Sequence, residues 1–245
     1  MTLTQEQLNR FHRDGFLLLR GFASQSACEA ILEVAQKELQ AKKQPIESEG
    51  EYTQDNARHG TIRRLRQVYE RSPIFARWMQ NPQMCPILKQ LLGETPVISM
   101  PHHNSIMTKM PHESSQTCWH QDIRYWHFDG DNLVSVWLAL GEEYAANGVL
   151  EFIPASHKMQ FSPQSFDAKR YFLDTPINRD VINTKVSYDL KQGDVVLFHA
   201  KTLHRANANQ TDRAKISFVY TVRGISTLPL KGTRSDSLND VVLEC

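Results

Sequence analysis

Residues 133–140 read LVSVWLAL, a short apolar run of strand-forming residues that favours a buried β-strand. Comparable runs lie at residues 97–100, 149–153, 194–198 and 216–222. Turn-forming residues separate these runs, including DGD at 129–131, NG at 147–148 and QGD at 192–194. Many short strands with turns between them predict a β-sandwich or a barrel.

The first ninety residues have a different character and read as helices with short breaks. Thr4-x-x-Gln7 and Ser26-x-x-Glu29 both match the capping box, in which two side chains satisfy free N–H groups at a helix start. Apolar residues within 28–39 then recur at helical spacing, which predicts one buried helix face.

The segments between these helices are short or irregular. A glycine-bracketed apolar run at 15–21 predicts a buried strand, and the polar stretch 40–60 predicts a loop. Residues 82–92 predict a short helix that ends at Gly93. Residues 158–186 are polar and irregular, and we expect them to form an insertion over one face of the barrel.

Helices come first and strands later, without alternation, so the fold class predicted is α+β and mainly β. We expect one domain over residues 1–245, with a helical part over about 1–95 and a β core over about 96–225.

Composition excludes several function classes. The 28 Lys+Arg residues against 27 Asp+Glu residues leave a net charge of +1, which argues against nucleic acid as a partner. No apolar stretch is long enough to span a membrane, and no signal peptide is recognised. The four cysteines are scattered without a CxxC pair, which favours reduced thiols and a cytoplasmic location.

The motif Trp119-His120-Gln121-Asp122 carries the chemistry. Side chains two apart on a strand point the same way, so His120 and Asp122 can offer an imidazole and a carboxylate to one point. Two histidines and one carboxylate with open positions opposite are diagnostic of non-haem Fe(II) oxygenases. His204 is the candidate third ligand, and His199 is its competitor.

Arg213 lies nine residues after His204, at the head of the run 216–222. A guanidinium near an Fe(II) site could hold the far carboxylate of a dicarboxylate co-substrate in two hydrogen bonds. The alternatives are that Arg213 is a solvated turn residue, or that Lys215, two residues further on, takes this role.

The chain resembles the phytanoyl-CoA dioxygenase family of Fe(II)/2-oxoglutarate oxygenases over nearly its whole length. The motifs that carry the resemblance are, in chain order, Leu3-Thr4…Asp14-Gly15-Phe16, His120-Gln121-Asp122, VSVWLAL at 134–140, NGVLEFIPASHK at 147–158, GDVVLFH at 193–199, His204-Arg205-Ala206-Asn207 and Asp212-Arg213. The resemblance implies a double-stranded β-helix with flanking N-terminal helices, with Fe(II), 2-oxoglutarate and O₂ as cofactor and co-substrates.

The same resemblance implies site residues. His120, Asp122 and His204 match the iron ligands, and Arg213 matches the arginine that binds the distal carboxylate of 2-oxoglutarate. The co-substrate pocket is expected to include three further residues, Trp137, Ser105 and Arg64. The chain departs from the family at Ala206, where a hydroxyl residue is common, at PASH (154–157) in place of PGSH, and in the short gap from His204 to Arg213. His157 is a possible fourth ligand, although its turn motif favours a structural role.

The implied reaction is hydroxylation of a C–H bond in a small-molecule metabolite, with release of succinate and CO₂. Two alternatives remain open: another oxidative outcome at the same iron, such as desaturation or epoxidation, and a non-catalytic protein that binds metal or ligand. The substrate pocket is expected to be lined by residues 124–127 and by the segments 40–60 and 158–186. Arg124 and His127 hint at a polar or anionic substrate group, or are surface residues.

Overall fold

The structure is a computed structural model that describes all 245 residues. Its α-helices are Gln5–Asp14 (α1), Gln25–Gln40 (α2), Glu49–Thr53 (α3), Pro73–Met79 (α4), Met84–Leu92 (α5) and Pro176–Asn183 (α6). The first helix has the expected capping box at Thr4, and the fifth ends at Gly93 in the left-handed conformation.

The strands are Phe16–Leu19 (β1), Ile46–Ser48 (β2), Ile62–Arg66 (β3), Pro96–Ile98 (β4), Ser105–Lys109 (β5), Thr117–His120 (β6), Leu133–Ala139 (β7), Leu150–Phe152 (β8), Val186–Ser187 (β9), Val195–His199 (β10), His204–Ala206 (β11), Lys215–Gly224 (β12) and Val241–Val242 (β13). All five predicted apolar runs of the β core contain a strand, namely β4, β7, β8, β10 and β12.

Two antiparallel sheets form the core. The larger sheet has nine strands, seven of them in the order β1-β10-β7-β12-β5-β3-β2; β4 also pairs with β12, and β13 pairs with β4. The smaller sheet has the order β6-β11-β8-β9. Apolar side chains from both sheets pack together, as Phe152 of β8 does against Phe198 of β10. This two-sheet arrangement confirms the predicted double-stranded β-helix.

The longest strand, β12, shows how the larger sheet separates two environments. Phe218, Tyr220 and Val222 belong to the main hydrophobic cluster, where the large sheet packs on the helices. The alternate residues face the smaller sheet, because successive side chains on a strand point to opposite faces. Ser217 and Thr221 are therefore buried on the side that holds the functional site.

Parts of the N-terminal half differ from the prediction. The second helix begins after Ser24, whose hydroxyl accepts a hydrogen bond from Ala27 N, so Ser26 lies inside the helix and is not its cap. The expected loop 40–60 contains β2 and α3, and β2 and β3 extend the larger sheet. β3 joins the sheet by pairing with β5, with Arg64 opposite Met107, and a local pattern does not reveal this long-range contact.

The cysteine prediction is wrong. Cys85 of α5 and Cys245 form a disulfide, because β13 pairs with β4 and brings the end of the chain beside α5. Their separation of 160 residues hides this contact in the sequence. Cys28 and Cys118 are free. The cytoplasmic location loses the support that reduced thiols gave it. No helix has the length and apolarity needed to cross a bilayer.

Candidate active site

The three predicted metal ligands come together between the sheets. His120 ends β6, His204 begins β11, and the two residues are direct partners in the pairing of these strands. Asp122 follows β6, and its carboxylate oxygens lie 3.6 Å from His120 Nε2 and 3.9 Å from His204 Nε2. One ligand atom from each residue lies within 4.8 Å of the others.

Backbone carbonyls set the tautomer of both imidazoles. His120 Nδ1 donates to the Cys118 carbonyl at 2.8 Å, and His204 Nδ1 donates to the Thr202 carbonyl at 2.9 Å. A carbonyl oxygen only accepts, so each Nδ1 carries the proton and each Nε2 keeps a free lone pair. A hydrogen bond of this kind is what orients a metal-binding histidine.

The protonation states also suit a divalent cation. Burial works to raise the pKa of Asp122, but the neighbouring His103, His204 and His120 outweigh it and hold that pKa below its usual range. Burial, followed by repulsion from His120, lowers the pKa of His204 to about 3. At neutral pH the site therefore offers an ionised carboxylate and a neutral imidazole, the forms that bind metal.

His103, which no sequence motif marks, also contacts the Asp122 carboxylate. Its Nε2 lies 3.4 Å from Asp122 Oδ1, and its Nδ1 lies 3.4 Å from the Ser135 hydroxyl. The residue has φ of 39°, a backbone conformation that few non-glycine residues adopt. This turn after β4 brings the ring to Asp122, and no motif signals it. His103 and Ser135 together restrict the orientation of the carboxylate.

The two competing histidines lie elsewhere. His199 Nδ1 accepts a hydrogen bond from Lys201 N at 3.0 Å. His157 Nε2 lies 3.2 Å from the His12 carbonyl oxygen, where it ties the 154–157 turn to α1. Neither residue belongs to the cluster of ligand atoms.

A cavity of about 440 Å³ opens beside the three ligands. Trp137, Ser105 and Arg64, the three residues expected in the co-substrate pocket, all line it. Trp137 is buried in β7, and its indole Nε1 donates to Glu143 at 3.1 Å. Ser105 is buried in β5, and Arg64 of β3 pairs with Glu47 at 2.6 Å.

The structure does not place Arg213 beside the metal ligands. Arg213 is exposed and lies outside the cavity, in the turn that precedes β12. Its carbonyl accepts from the Asn209 side chain, which holds this turn. Since β12 begins at Lys215, that lysine is the first side chain of the strand to point inward, and it lines the cavity. Lys215, the competitor named from the sequence, therefore occupies the predicted place.

Lys215 belongs to a buried polar cluster. Its Nζ lies 3.1 Å from Glu143 Oε2 and 5.1 Å from the centre of the Trp137 ring. Glu143 is fully buried and also accepts from the Ser217 hydroxyl at 2.7 Å. A charge this deep in the protein requires such partners.

A second buried lysine adds to this charge. Lys109 of β5 lies opposite Lys215 in the strand pairing and donates to the Ser115 carbonyl at 2.5 Å. Burial, followed by repulsion from Arg63 and Lys215, lowers the pKa of Lys109 to about 7, although Glu49 works in the opposite direction. Arg63 itself lies 3.2 Å from Glu49.

Of residues 124–127, which were expected to line the substrate pocket, two lie at the cavity. Tyr125 and Trp126 line it, but Arg124 and His127 do not. Arg124 donates to the Gln121 side chain at 2.8 Å and stacks on Phe166.

The two segments expected near the substrate meet at the cavity. Tyr52 of α3 and Tyr171 both line it, and their hydroxyls are 2.7 Å apart.

Comparison with known proteins agrees with this site. The family model described as phytanoyl-CoA dioxygenase (PhyH) matches residues 11–217. An ectoine dioxygenase of Bordetella parapertussis is 25% identical over 237 residues, which cover 89% of this chain and 75% of that protein. Phytanoyl-CoA dioxygenase domain-containing protein 1 of Bos taurus is 23% identical over 263 residues, which cover 89% of each.

Solved structures show the same fold. EctD from S. alaskensis with bound Fe has a TM-score of 0.80 at 20% identity, with 99% of this chain and 87% of that chain covered. The epimerase SnoN, in complex with Fe³⁺ and alpha ketoglutarate, has a TM-score of 0.76 at 19% identity, with 98% and 95% covered. The family match spans most of the sequence, and it agrees with the two-sheet fold and with the His-Asp-His cluster. The chain therefore belongs to the phytanoyl-CoA dioxygenase family and is an Fe(II)- and 2-oxoglutarate-dependent dioxygenase.

Proposed function

We propose that this dioxygenase hydroxylates a C–H bond of a small-molecule metabolite, and that Lys215 and Lys109 hold the distal carboxylate of 2-oxoglutarate. The balanced reaction converts the C–H bond, O₂ and 2-oxoglutarate into C–OH, succinate and CO₂. The observation that supports the proposal is the position of His120, Asp122 and His204 on the wall of a cavity that also contains two buried lysines.

The charges around these lysines favour an anion. Glu143 pairs with Lys215, and Glu49 pairs with Arg63 at 3.2 Å, so each of these carboxylates balances one cation. Glu47, 3.8 Å from Arg63 Nε, is shared with Arg64 and Arg66. Lys109 has only a backbone carbonyl as its hydrogen-bond partner. When all five groups are ionised, the cluster keeps one uncompensated positive charge in a buried place. A carboxylate at this end of the cavity would neutralise it and accept charge-assisted hydrogen bonds.

The remaining residues position the reactants. Iron held by His120, Asp122 and His204 would supply oxygen activation. His103 and Ser135 hold the Asp122 carboxylate, and the buried ring of Trp137 forms part of the cavity wall.

The size of the cavity and the names of the relatives favour a small-molecule substrate. The volume of about 440 Å³ falls within the range of small-ligand sites, and several relatives are ectoine dioxygenases. We propose neither nucleic acid nor membrane as a partner.

The test has two stages. Fe(II) and 2-oxoglutarate are first titrated into the protein without oxygen, and a weak visible charge-transfer band is expected when both are bound. Oxygen is then admitted with each member of a metabolite library, and succinate is measured. One or more metabolites should raise succinate release and gain one oxygen atom by mass spectrometry. A protein that gives no band and no succinate would contradict the proposal, and a substrate that loses two hydrogens without gaining oxygen would replace hydroxylation by desaturation.

A further inference from the structure

Three arginines gather at the outer edge of the larger sheet. Arg64 and Arg66 of β3 both direct a terminal nitrogen to Glu47 Oε2 of β2, and the Arg64 contact is 2.6 Å. Arg234 lies beside them at the mouth and donates to the Pro101 carbonyl at 3.1 Å. All three arginines and Glu47 line the cavity.

The charges of this group do not balance. Glu47 is the only carboxylate within ion-pair distance of Arg64 and Arg66, and it also lies 3.8 Å from Arg63 Nε, whose other partner is Glu49. The only hydrogen-bond acceptor of the Arg234 side chain is the Pro101 carbonyl. Even if Glu49 balances Arg63, the single negative charge of Glu47 meets the three positive charges of Arg64, Arg66 and Arg234. The Nε atoms of Arg64 and Arg66 are buried without a hydrogen-bond partner, although guanidinium N–H groups are obligate donors.

A purely structural role explains only part of this arrangement. The contact of Glu47 with Arg64 links β2 to β3, and one arginine would suffice for that purpose. Arg234 comes from the far end of the chain and makes no contact with Glu47 within ion-pair distance. The electrostatic repulsion between Arg234 and the other two arginines costs free energy unless an anion binds between them.

The arginines are separate from the lysines that we assign to 2-oxoglutarate. Arg64 and Arg66 lie on β3, two strands from Lys215 on β12, which corresponds to about 10 Å across the sheet. Lys109 lies on the neighbouring strand β5, but Arg64 and Arg66 are opposite Met107 and Ser105, further along that strand. The cavity thus has two positively charged regions, and 2-oxoglutarate accounts for one of them. Apolar residues lie near the arginines, since Met100 precedes Pro101 and Leu238 follows Arg234 by one turn, and both line the cavity.

We propose that Arg64, Arg66 and Arg234 bind an anionic group of the primary substrate, a carboxylate or a phosphoryl group carried on an apolar body. This assignment rests on the proposed function and replaces the co-substrate role expected for Arg64. Guanidinium groups suit both anions because they donate two parallel hydrogen bonds.

Binding measurements test the proposal without turnover. The Fe(II)- and 2-oxoglutarate-loaded enzyme is kept anaerobic and titrated by calorimetry with phenylacetate, with its neutral analogue phenylacetamide, and with inorganic phosphate. We expect phenylacetate, phosphate or both to bind at least about tenfold more tightly than phenylacetamide. Binding of only one of the two anions identifies the group as carboxylate or phosphoryl.

Two variants locate the binding site. The double variant R64Q/R66Q should remove most of the preference for the anion, and R234Q should weaken it without leaving a buried carboxylate unpaired. Arg179→Gln is the matched control, because Arg179 lies on α6 outside the cavity, and it should bind like the wild type. Thermal unfolding shows whether each variant is folded.

Three results would overturn the proposal: equal binding of acid and amide, an anion preference that survives both variants, or a loss of 2-oxoglutarate affinity in R64Q/R66Q and R234Q. Failure of the proposed function looks different, because an arginine-dependent anion preference would persist in an enzyme that forms no succinate. Conversely, succinate release driven by a neutral metabolite, with no anion preference, would remove this inference and leave the oxygenase assignment intact.

Discussion

Lys215 and Lys109 lie directly opposite each other on β12 and β5, and both are buried against the same cavity. Like charges opposite each other on neighbouring strands destabilise a sheet. Glu143 offsets one of these charges, and the other remains beside the place that we assign to 2-oxoglutarate. In the site that we propose, a bound carboxylate would relieve the repulsion between the two lysines and so gain affinity.

Replacing Lys215 should weaken 2-oxoglutarate binding. Loss of one partner of a buried charge pair costs about 2–5 kcal/mol, so Lys215→Met should reduce the affinity about thirtyfold or more. Lys215→Arg keeps the charge and should recover part of it. The measurement is anaerobic titration of the Fe(II) enzyme with 2-oxoglutarate.

Arg213→Ala is the control for this experiment, because Arg213 is exposed and outside the cavity. It should leave the affinity unchanged. A loss of affinity in Arg213→Ala, with normal binding in Lys215→Met, would restore the original assignment and contradict ours.

Co-substrate binding should depend on pH through Lys109. Burial, followed by Arg63 and Lys215, lowers the pKa of Lys109 to about 7, while Glu49 and Cys118 work to raise it. Below pH 7 the ammonium is already charged, and above pH 7 the amine must take up a proton to pair with a carboxylate. Affinity for 2-oxoglutarate should therefore fall as the pH rises from 7 to 9.

Calorimetry in two buffers of different ionisation enthalpy measures the number of protons taken up. At pH 8 the wild type should take up close to one proton per 2-oxoglutarate, and Lys109→Met should take up none. Equal proton uptake in both proteins would show that Lys109 is not the titrating group.

Fe(II) binding distinguishes His204 from His199 as the third metal ligand. His204→Ala removes an Nε2 from the ligand cluster and should weaken Fe(II) binding by more than about a hundredfold, since even outer-shell changes cost 10–100-fold. His199→Ala should bind iron normally, because His199 bonds to Lys201 N instead. Anaerobic equilibrium dialysis measures both, and the reverse pattern would make His199 the ligand.

Gly148 should be intolerant of a side chain. It has φ of 81°, and a methyl group there would overlap the carbonyl oxygen of Asn207, just after β11. Gly232 has φ of 75° with open space around it, so Gly232→Ala isolates the backbone cost of about 1–2 kcal/mol. Gly148→Ala should cost about 1–3 kcal/mol more.

Denaturant unfolding of both alanine variants gives this difference. Equal destabilisation of the two proteins would mean that the turn at Gly148 relaxes to accept the methyl group.

Local patterns account for the site residues that the structure brings together as predicted. His120 and Asp122 are two residues apart, and the motif alone places them together. The strands β7, β10 and β12 are buried on both faces, so they appear as apolar runs in the sequence. The composition of these runs predicts that the strands exist, but it does not predict the residues at which they begin and end.

The difference between Arg213 and Lys215 depends on one such strand end. Arg213 and Lys215 have the same parity along the chain, so alternation does not distinguish them, and the side chain that enters the cavity is decided by where β12 begins. His103 and Glu143 were missed for a different reason. Each meets its partner through a turn or a loop, and neither belongs to a motif that could have marked it.

The pairing of His120 with His204 has one more consequence. If β6 and β11 slipped by one residue, one imidazole would turn to the opposite face, and the three ligands could no longer converge. A cation that binds only the converged arrangement stabilises one alignment of these short strands over all others. Iron binding would thus favour the correct strand register in the smaller sheet, in addition to supplying the reactive centre.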